Sequence, residues 1–469
     1  MNIAFITNHY KTIFFYEVAK VLEEAGHRVF WMSPSRRWSV WLLKKGVPKS
    51  DILDTTDYSE EWVNIYKMKR MTSILQELKK LEESADLRIN NIILMDRCLR
   101  LKSYAYAVSY LYVCNKHIKE FIMNREIKCV FGEATWAFEL LTTQICKELK
   151  VRFFMPHITR IPDGRFAFFE GYLHRDFFVM KDAEEKDYAD AKIFYDKFVT
   201  QKPKPRYFYL NNKLPRVEFD WPLDLMKHFL LSITDPFDET RPSIKRLVGE
   251  KVRKVVNKRR LLGSKLIEKP LFDRPYILVT LHKQPEASVD VLGSFFSNQL
   301  EFVKLLSRAI PITHEIYVKE HSNAIGDRSM NFYKALAKIP DVKIISPYVN
   351  TYELIEKADL VYSISGTASY EAALLGKKAL TAVPMFFSEL LVEQSLPPHD
   401  AFCKIQDILD SDIDIETQKK KSYNFLAKLI ANSFEGIVDS PTSDPVCIQK
   451  DNINKVAAGF IKLLDCLAR

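Results

Sequence analysis

Val361 to Ala379 reads VYSISGTASYEAALLGKKA. An apolar strand runs into a hydroxyl-rich turn, Ser363 to Thr367 around Gly366, and then into residues at helical spacing (Tyr370, Ala373, Leu374) until Gly376. A strand that feeds a helix through such a turn presents backbone N–H groups at the positive end of the helix dipole, a geometry that binds anions and phosphates above all. By itself the stretch also fits an ordinary βα unit of an α/β domain, since it lacks a full GxGxxG. The surrounding pattern bears on the choice.

Upstream, Tyr276 to Leu281 (YILVTL) reads as a buried strand ending in His282-Lys283-Gln284-Pro285-Glu286. His314 to Val318 reads as the next strand, ending in Lys319-Glu320-His321, and further strands are expected at 342–345, 359–364 and 378–383 with helices between them. That alternation makes residues 271–400 a doubly wound α/β domain with a parallel sheet. In such a sheet the strand ends lie on one edge, so His282, Lys319, Glu320, His321 and the turn Ser363, Ser365, Gly366, Thr367 can converge. The set suits a nucleotide phosphate with its ribose, and Glu371, four residues past Thr367, could accept hydrogen bonds from ribose hydroxyls.

The chain opens the same way. NIAFIT (2–7) is a strand, 12–25 a helix closed by Gly26, and HRVFWM (27–32) a second strand, which together form a βαβ unit. Thr7-Asn8-His9-Tyr10 therefore sits at a strand end, where a lone histidine is usually a solvated loop residue. KCVFG (128–132) is a further strand, followed by Glu133 at a helix start; an acidic residue there simply complements the dipole. VRFFM (151–155) leads to His157 and then Arg160-Ile161-Pro162-Asp163-Gly164-Arg165. Asp-Gly is a turn signal, yet a carboxylate flanked by Arg160 and Arg165 past a strand end would also be held ionised.

The chain has 469 residues, enough for two domains of about 200 residues with extra elements. It is 47% hydrophobic and 12% aromatic, which excludes a disordered protein. Net charge is +9 from 69 basic and 60 acidic residues, a mild excess without a zinc-finger or RNP-type signature, so no nucleic-acid partner is expected. Seven scattered cysteines, none in a CxxC pair, suit a reducing compartment. MNIAFITNHY lacks the charge and apolar run of a signal peptide, and a cytoplasmic protein is expected. Residues 243–269 hold the densest basic run, with Ile244, Leu247, Val248, Val252, Val255 and Val256 at helical spacing. This amphipathic cationic helix either rests on an anionic membrane surface, making the protein peripheral on the inner membrane, or is a linker docked by its apolar stripe.

Three runs, VTLHKQPEASVDVLGSFFSNQ (279–299), YVKEHS (317–322) and SISGTASYEAALLGKKAL (363–380), resemble the capsule polysaccharide biosynthesis family, which includes bacterial β-Kdo transferases. Ser322 stands where many relatives have proline. The resemblance covers roughly residues 270–390 and is weaker over the first 180. It implies a GT-B glycosyltransferase with two Rossmann-like domains facing across a cleft: 1–240 the acceptor domain with helical insertions, 241–270 the basic linker helix, 271–400 the nucleotide-sugar domain, and 401–469 helices packing back. It further implies a CMP-Kdo donor, no cofactor, no metal for the transfer, a retaining outcome, and a glycan or glycolipid acceptor from capsule or lipopolysaccharide. Lys319, His321, Ser365, Gly366 and Thr367 would hold the nucleotide with Glu371 nearby. The acidic residues expected at the anomeric centre would be Asp163, as nucleophile or stabilising charge, and Glu133, as base. Arg160 and Arg165 would neutralise the sugar carboxylate. A UDP- or GDP-hexose donor, or a non-catalytic glycan assembly partner, are the competing readings.

Overall fold

A computed structural model describes residues 1–68, 71–204 and 221–468. The described strands are, in chain order, β1 Asn2–Ile6, β2 Arg28–Ser33, β3 Ile52–Asp54, β4 Cys129–Phe131, β5 Arg152–Ile158, β6 Arg165–Glu170, β7 Ile267–Glu268, β8 Tyr276–Thr280, β9 Glu315–Lys319, β10 Val342–Ile345, β11 Leu360–Ser363, β12 Ala379–Thr381 and β13 Ser433–Glu435. They form two sheets, ordered β13-β6-β5-β4-β1-β2-β3 and β12-β11-β8-β9-β10-β7. The second is parallel throughout; the first is parallel from β5 to β3 and antiparallel where β6 and β13 extend it.

Central strands of both sheets are continuous apolar runs because helices cover both their faces. Phe5 of β1 stands in register between Trp31 of β2 and Phe131 of β4, and its ring stacks on both. In the second sheet Leu278 of β8 stands between Tyr317 of β9 and Val361 of β11. Each sheet reverses its winding once. From β1 the chain moves outward through β2 and β3, then returns to the other side of β1 with β4; from β8 it moves through β9 and β10, then returns with β11. At such switch points neighbouring loops diverge and leave a crevice at the carboxyl ends of the strands. The loops concerned are Thr7 to Lys11 and Gly132 to Trp136 in one sheet, Leu281 to Glu286 and Ile364 to Thr367 in the other.

Four described strands, β3, β6, β7 and β13, lie outside those expected from the sequence. Phe166 to Phe169 is a fully buried strand that pairs antiparallel with β5, so Thr159 to Gly164 is a hairpin loop. The second sheet also takes its edge strand from Ile267–Glu268, ahead of residue 271. The C-terminal segment ties the halves together. Helix Ala401–Asp410 packs on Gln299–Ala309 of the second domain, helix Ile415–Ala431 runs along Glu185–Gln201, and β13 joins the first sheet. The last helix, Lys450–Ala468, lies on Lys11–Glu24, with Phe460 in ring contact with Phe5, Phe131 and Phe168.

Candidate active site between the two domains

The turn after β11 is closed by its own hydroxyls. Ser363 Oγ accepts the Gly366 N–H at 3.0 Å and shares a hydrogen bond with Ser369 Oγ at 2.7 Å, so Ser363 shapes the turn from beneath. Ser365 Oγ donates to the Ser288 carbonyl at 2.8 Å, and its N–H points to His282 Nε2 at 3.4 Å. Gly366 serves close approach: a Cβ there would sit 3.1 Å from His282 Cε1 and from Ser363 Cβ. The amides of Thr367 and Ala368 open the helix Thr367–Leu374, where no intrahelical acceptor reaches them and the dipole is positive.

The neighbouring strand ends meet this turn. Lys319, nearly buried at the end of β9, donates from Nζ to the Pro347 carbonyl at 3.1 Å. Burial pushes its ammonium down to about 8. Glu371 is pushed up to about 7, again by burial, with Arg160 and Lys319 pulling the other way. His282 and His321 are held neutral, burial lowering them to about 3 and about 4. Glu320 differs from its neighbours. Its carboxylate takes Arg328 at 2.5 Å, the Tyr333 hydroxyl at 2.6 Å and the His321 N–H at 2.8 Å, which orients the loop and leaves little capacity for a ligand.

Across the cleft, three loops of the first domain hold a non-glycine residue at positive φ: His9 (41°) after β1, Ala134 (43°) after β4 and Arg160 (66°) after β5. Each costs about 1 kcal/mol or more, and such strain gathers at functional sites. Buried Glu139 fixes the middle loop, accepting from the amides of Glu133, Thr135 and Trp136 and from the Asn8 side chain. Glu133 projects from that loop and is ion-paired with Lys11. The Arg160 charge bears on His157 and His174 in its own domain and on His282, His321 and Glu371 in the other. The Tyr370 hydroxyl donates to the Ile161 carbonyl at 2.8 Å, which joins the arginine loop to the Thr367–Leu374 helix.

These walls enclose a cavity of about 750 Å³ lined by His282, Lys319, Glu320, His321, Ser365, Gly366, Thr367 and Glu371 on one side and by Glu133, His157 and Arg160 on the other. A second cavity of about 280 Å³ adjoins it through Glu133, His157 and Asp439, and includes His9, Lys11, Ser440 and Thr442. Three expected residues line neither cavity, and one of them, Ser363, lies beneath the turn it closes. Asp163 is exposed at the hairpin tip and lines neither cavity, because Asp163-Gly164 makes the turn between β5 and β6. Arg165 points its guanidinium at Ser433 Oγ (2.9 Å) and at the carbonyls of Ser433 (2.6 Å) and Ile430 (3.1 Å), so it pins β13 rather than a sugar carboxylate. Sequence reading assigned no role to Lys11, His157 and Glu139, which lie at a helix start, near a strand end and in the first turn of a helix. His9, read as a solvated loop residue, is instead packed edge-on against Trp136.

Two Rossmann-like domains whose switch points face one another across a ligand-sized cleft define the GT-B fold. Residues 232–388, which hold all three polar strand ends of the second domain, match the family model described as Capsule polysaccharide biosynthesis protein. Over that span, 157 of the 469 residues, the resemblance noted in the sequence holds. Among solved structures, KpsC of Thermosulfurimonas dismutans, a beta Kdo 2,7 transferase, aligns at 11% identity over 74% of this chain and 89% of its own, with a TM-score of 0.34. MnaA of S. aureus, in a co-structure with UDP, aligns at 8% identity over 100% and 98% (TM-score 0.29). The UDP-GlcNAc 2-epimerase of Methanocaldococcus jannaschii, in complex with UDP-GlcNAc and UDP, aligns at 9% identity over 90% and 98% (TM-score 0.27). No curated protein matches the chain.

Proposed function

We propose that the protein is a GT-B glycosyltransferase that moves Kdo from CMP-Kdo onto a bacterial surface polysaccharide, capsule or lipopolysaccharide. The observation that carries this reading is a single cleft with an anion-binding wall on one domain and a carboxylate and an arginine, Glu133 and Arg160, on the other. On the donor side the nucleotide phosphate meets the amides of Thr367 and Ala368 and the Lys319 ammonium. A buried cation already pushed down to about 8 gains most from an arriving anion, which restores the partner that water no longer supplies. Glu371, near half-protonated at neutral pH, can hydrogen-bond a ribose hydroxyl without repelling the phosphate.

On the other wall, Arg160 is suited to the carboxylate of a 2-keto acid sugar, which a guanidinium grips with two parallel hydrogen bonds. Glu133 is the carboxylate that takes the proton from the acceptor hydroxyl as its oxygen bonds the anomeric carbon and the nucleotide leaves with the glycosidic electron pair. This single displacement inverts the anomeric centre, in place of the retaining outcome the resemblance implies. With Asp163 outside the cleft, a two-carboxylate scheme loses its second member, which favours Glu133 as the base. The test is a donor screen that follows released nucleotide. CMP from CMP-Kdo is expected; UDP or GDP from their hexoses would reassign the donor. Nucleotide binding without release from any donor would favour a non-catalytic assembly partner and overturn the enzyme reading.

A further inference from the structure

Two helices beside the interdomain connection carry their apolar residues outward. In Trp221–Thr234 the side chains of Met226, Phe229, Leu230 and Ile233 are 53–61% exposed, and their i, i+3, i+4, i+7 spacing makes them one stripe. In Ile244–Leu262, Val252, Val255, Val256 and Leu262 are likewise exposed. This second helix is docked through Lys254, Asn257 and Leu261, and while Ile244, Leu247 and Val248 at its start are half-buried, the valines of its middle face outward. Lys254 pairs with Asp327 at 2.8 Å, Asn257 donates to the Gly326 carbonyl at 3.3 Å, and Leu261 is buried in the core of the second domain.

The two helices touch, and the connection between them is anchored to the first domain. Asp235 accepts from Ser35 Oγ and from the Arg37 N–H, both at 3.0 Å, and Glu239 takes the Tyr106 hydroxyl at 2.6 Å. The exposed faces are therefore held in place by the body of the protein. Around the valines stand exposed Lys245, Lys251, Arg253, Arg259 and Arg260. Glu250, the one carboxylate of this helix, is already paired with Arg246 at 2.6 Å.

Apolar stripes of this extent on a water-soluble surface mark an interaction site, and the charge selects the partner. A protein interface is depleted of charge at its core, and would bury these lysines and arginines without counter-charges. An anionic bilayer accepts both features at once: apolar side chains enter the acyl boundary while basic side chains meet lipid phosphates. Among the described residues no helix is long and apolar enough to cross a membrane, so the helices would lie in the headgroup plane.

We propose that the outward faces of Trp221–Thr234 and Ile244–Leu262 form one docking surface for an anionic phospholipid bilayer. The inference stands apart from the donor assignment. Full-length protein is sedimented with phosphatidylcholine vesicles, with and without phosphatidylglycerol, at low and at physiological salt. Binding is expected to be at least ~10-fold tighter with phosphatidylglycerol and to weaken with salt. The double variants Phe229→Ser/Ile233→Ser and Arg259→Glu/Arg260→Glu should each weaken it at least ~10-fold with an unchanged thermal transition. Hydrogen exchange on the unmodified protein checks the same point without a variant: anionic vesicles should protect amides of 221–262. Four outcomes overturn the proposal: no binding at low salt, equal binding to neutral vesicles, protection only elsewhere, or a dimer in solution that the Phe229→Ser/Ile233→Ser variant dissolves.

Discussion

Lys11, in the first turn of the helix after β1, and Glu133, in the loop after β4, form an ion pair where the winding of the first sheet reverses. They stand 122 residues apart in the chain; Lys11 lines the smaller cavity and Glu133 borders both. If Glu133 is the base, Glu133→Gln should slow transfer by about 10²- to 10⁴-fold with nucleotide affinity little changed and a lower thermal transition, since Lys11 loses its counter-charge. Lys11→Met leaves a half-buried carboxylate without its partner and should cost about 2 kcal/mol of stability, read by denaturant unfolding.

Lys319 and Glu371 make the donor wall sensitive to pH. The Lys319 ammonium falls from the ordinary 10.5 to about 8 because burial disfavours its charge. Below pH 8 it is charged both folded and unfolded and its cost is full; between pH 8 and 10.5 only the unfolded chain holds the proton, so stability rises with pH. At about 1.4 kcal/mol per pH unit, Lys319→Met should stabilise the ligand-free protein near pH 7 by up to about 3 kcal/mol, while nucleotide affinity falls at least ~10-fold.

For Glu371 the sign is opposite. Its carboxyl rises from 4.5 to about 7, so between those values the folded protein keeps a proton that the unfolded chain releases. Stability falls as pH rises through that window, and above pH 7 an anionic Glu371 stands beside the phosphate. Glu371→Gln should remove the loss of nucleotide affinity through pH 7 and keep the one near pH 8 that belongs to Lys319. Binding titrations from pH 6 to pH 9 would read both. A pH profile identical in the two proteins would mean that Glu371 does not face the nucleotide.

Glu139 is buried and gathers the loop that presents Glu133. Glu139→Ala would leave the amides of Thr135 and Trp136 without their acceptor and the Asn8 side chain with Thr135 Oγ1 alone. About 3 kcal/mol of destabilisation is expected, with transfer lost along with the loop. Full activity at unchanged stability would show that the loop holds itself.

The second domain was legible in the sequence because its strands are uninterrupted apolar runs, each ending in a polar cluster, and a parallel sheet gathers such ends on one edge. The first domain was legible in its opening βαβ unit and in the strands at 128–132 and 151–155, but not in its short or antiparallel edge strands. Phe166 to Phe169 escaped because the attention-drawing charges of Arg160, Asp163 and Arg165 lie just before it. Asp163-Gly164 between two apolar runs is a hairpin signal, and local turn chemistry decided Asp163's place. Lys11 and His157 could not be found from sequence, since only the folded sheet sets a helix start and a strand end 122 and 24 residues from Glu133 beside it. The exposed stripe Met226, Phe229, Leu230, Ile233 has the spacing of any core-facing helix, and the sequence gives no sign of which way it faces.

Asp163 and Arg165 separate hairpin structure from chemistry. Asp163→Ala should leave transfer within about 2-fold and stability within about 0.5 kcal/mol. Arg165→Ala removes three hydrogen bonds to Ile430 and Ser433 and should cost about 2 kcal/mol without altering nucleotide affinity. Abolished transfer in a well-folded Asp163→Ala protein would return that carboxylate to the mechanism.

The most direct measurement is the rate of CMP release from CMP-Kdo, with a surface polysaccharide acceptor present, by the wild-type protein and by Glu133→Gln. Steady CMP release by the wild type, and release at least about 10²-fold slower by a variant that is fully folded at the assay temperature, is the expected result. Equal rates in the two proteins, or no nucleotide released from CMP-, UDP- or GDP-sugars by either, would contradict a transferase cleft built around Glu133.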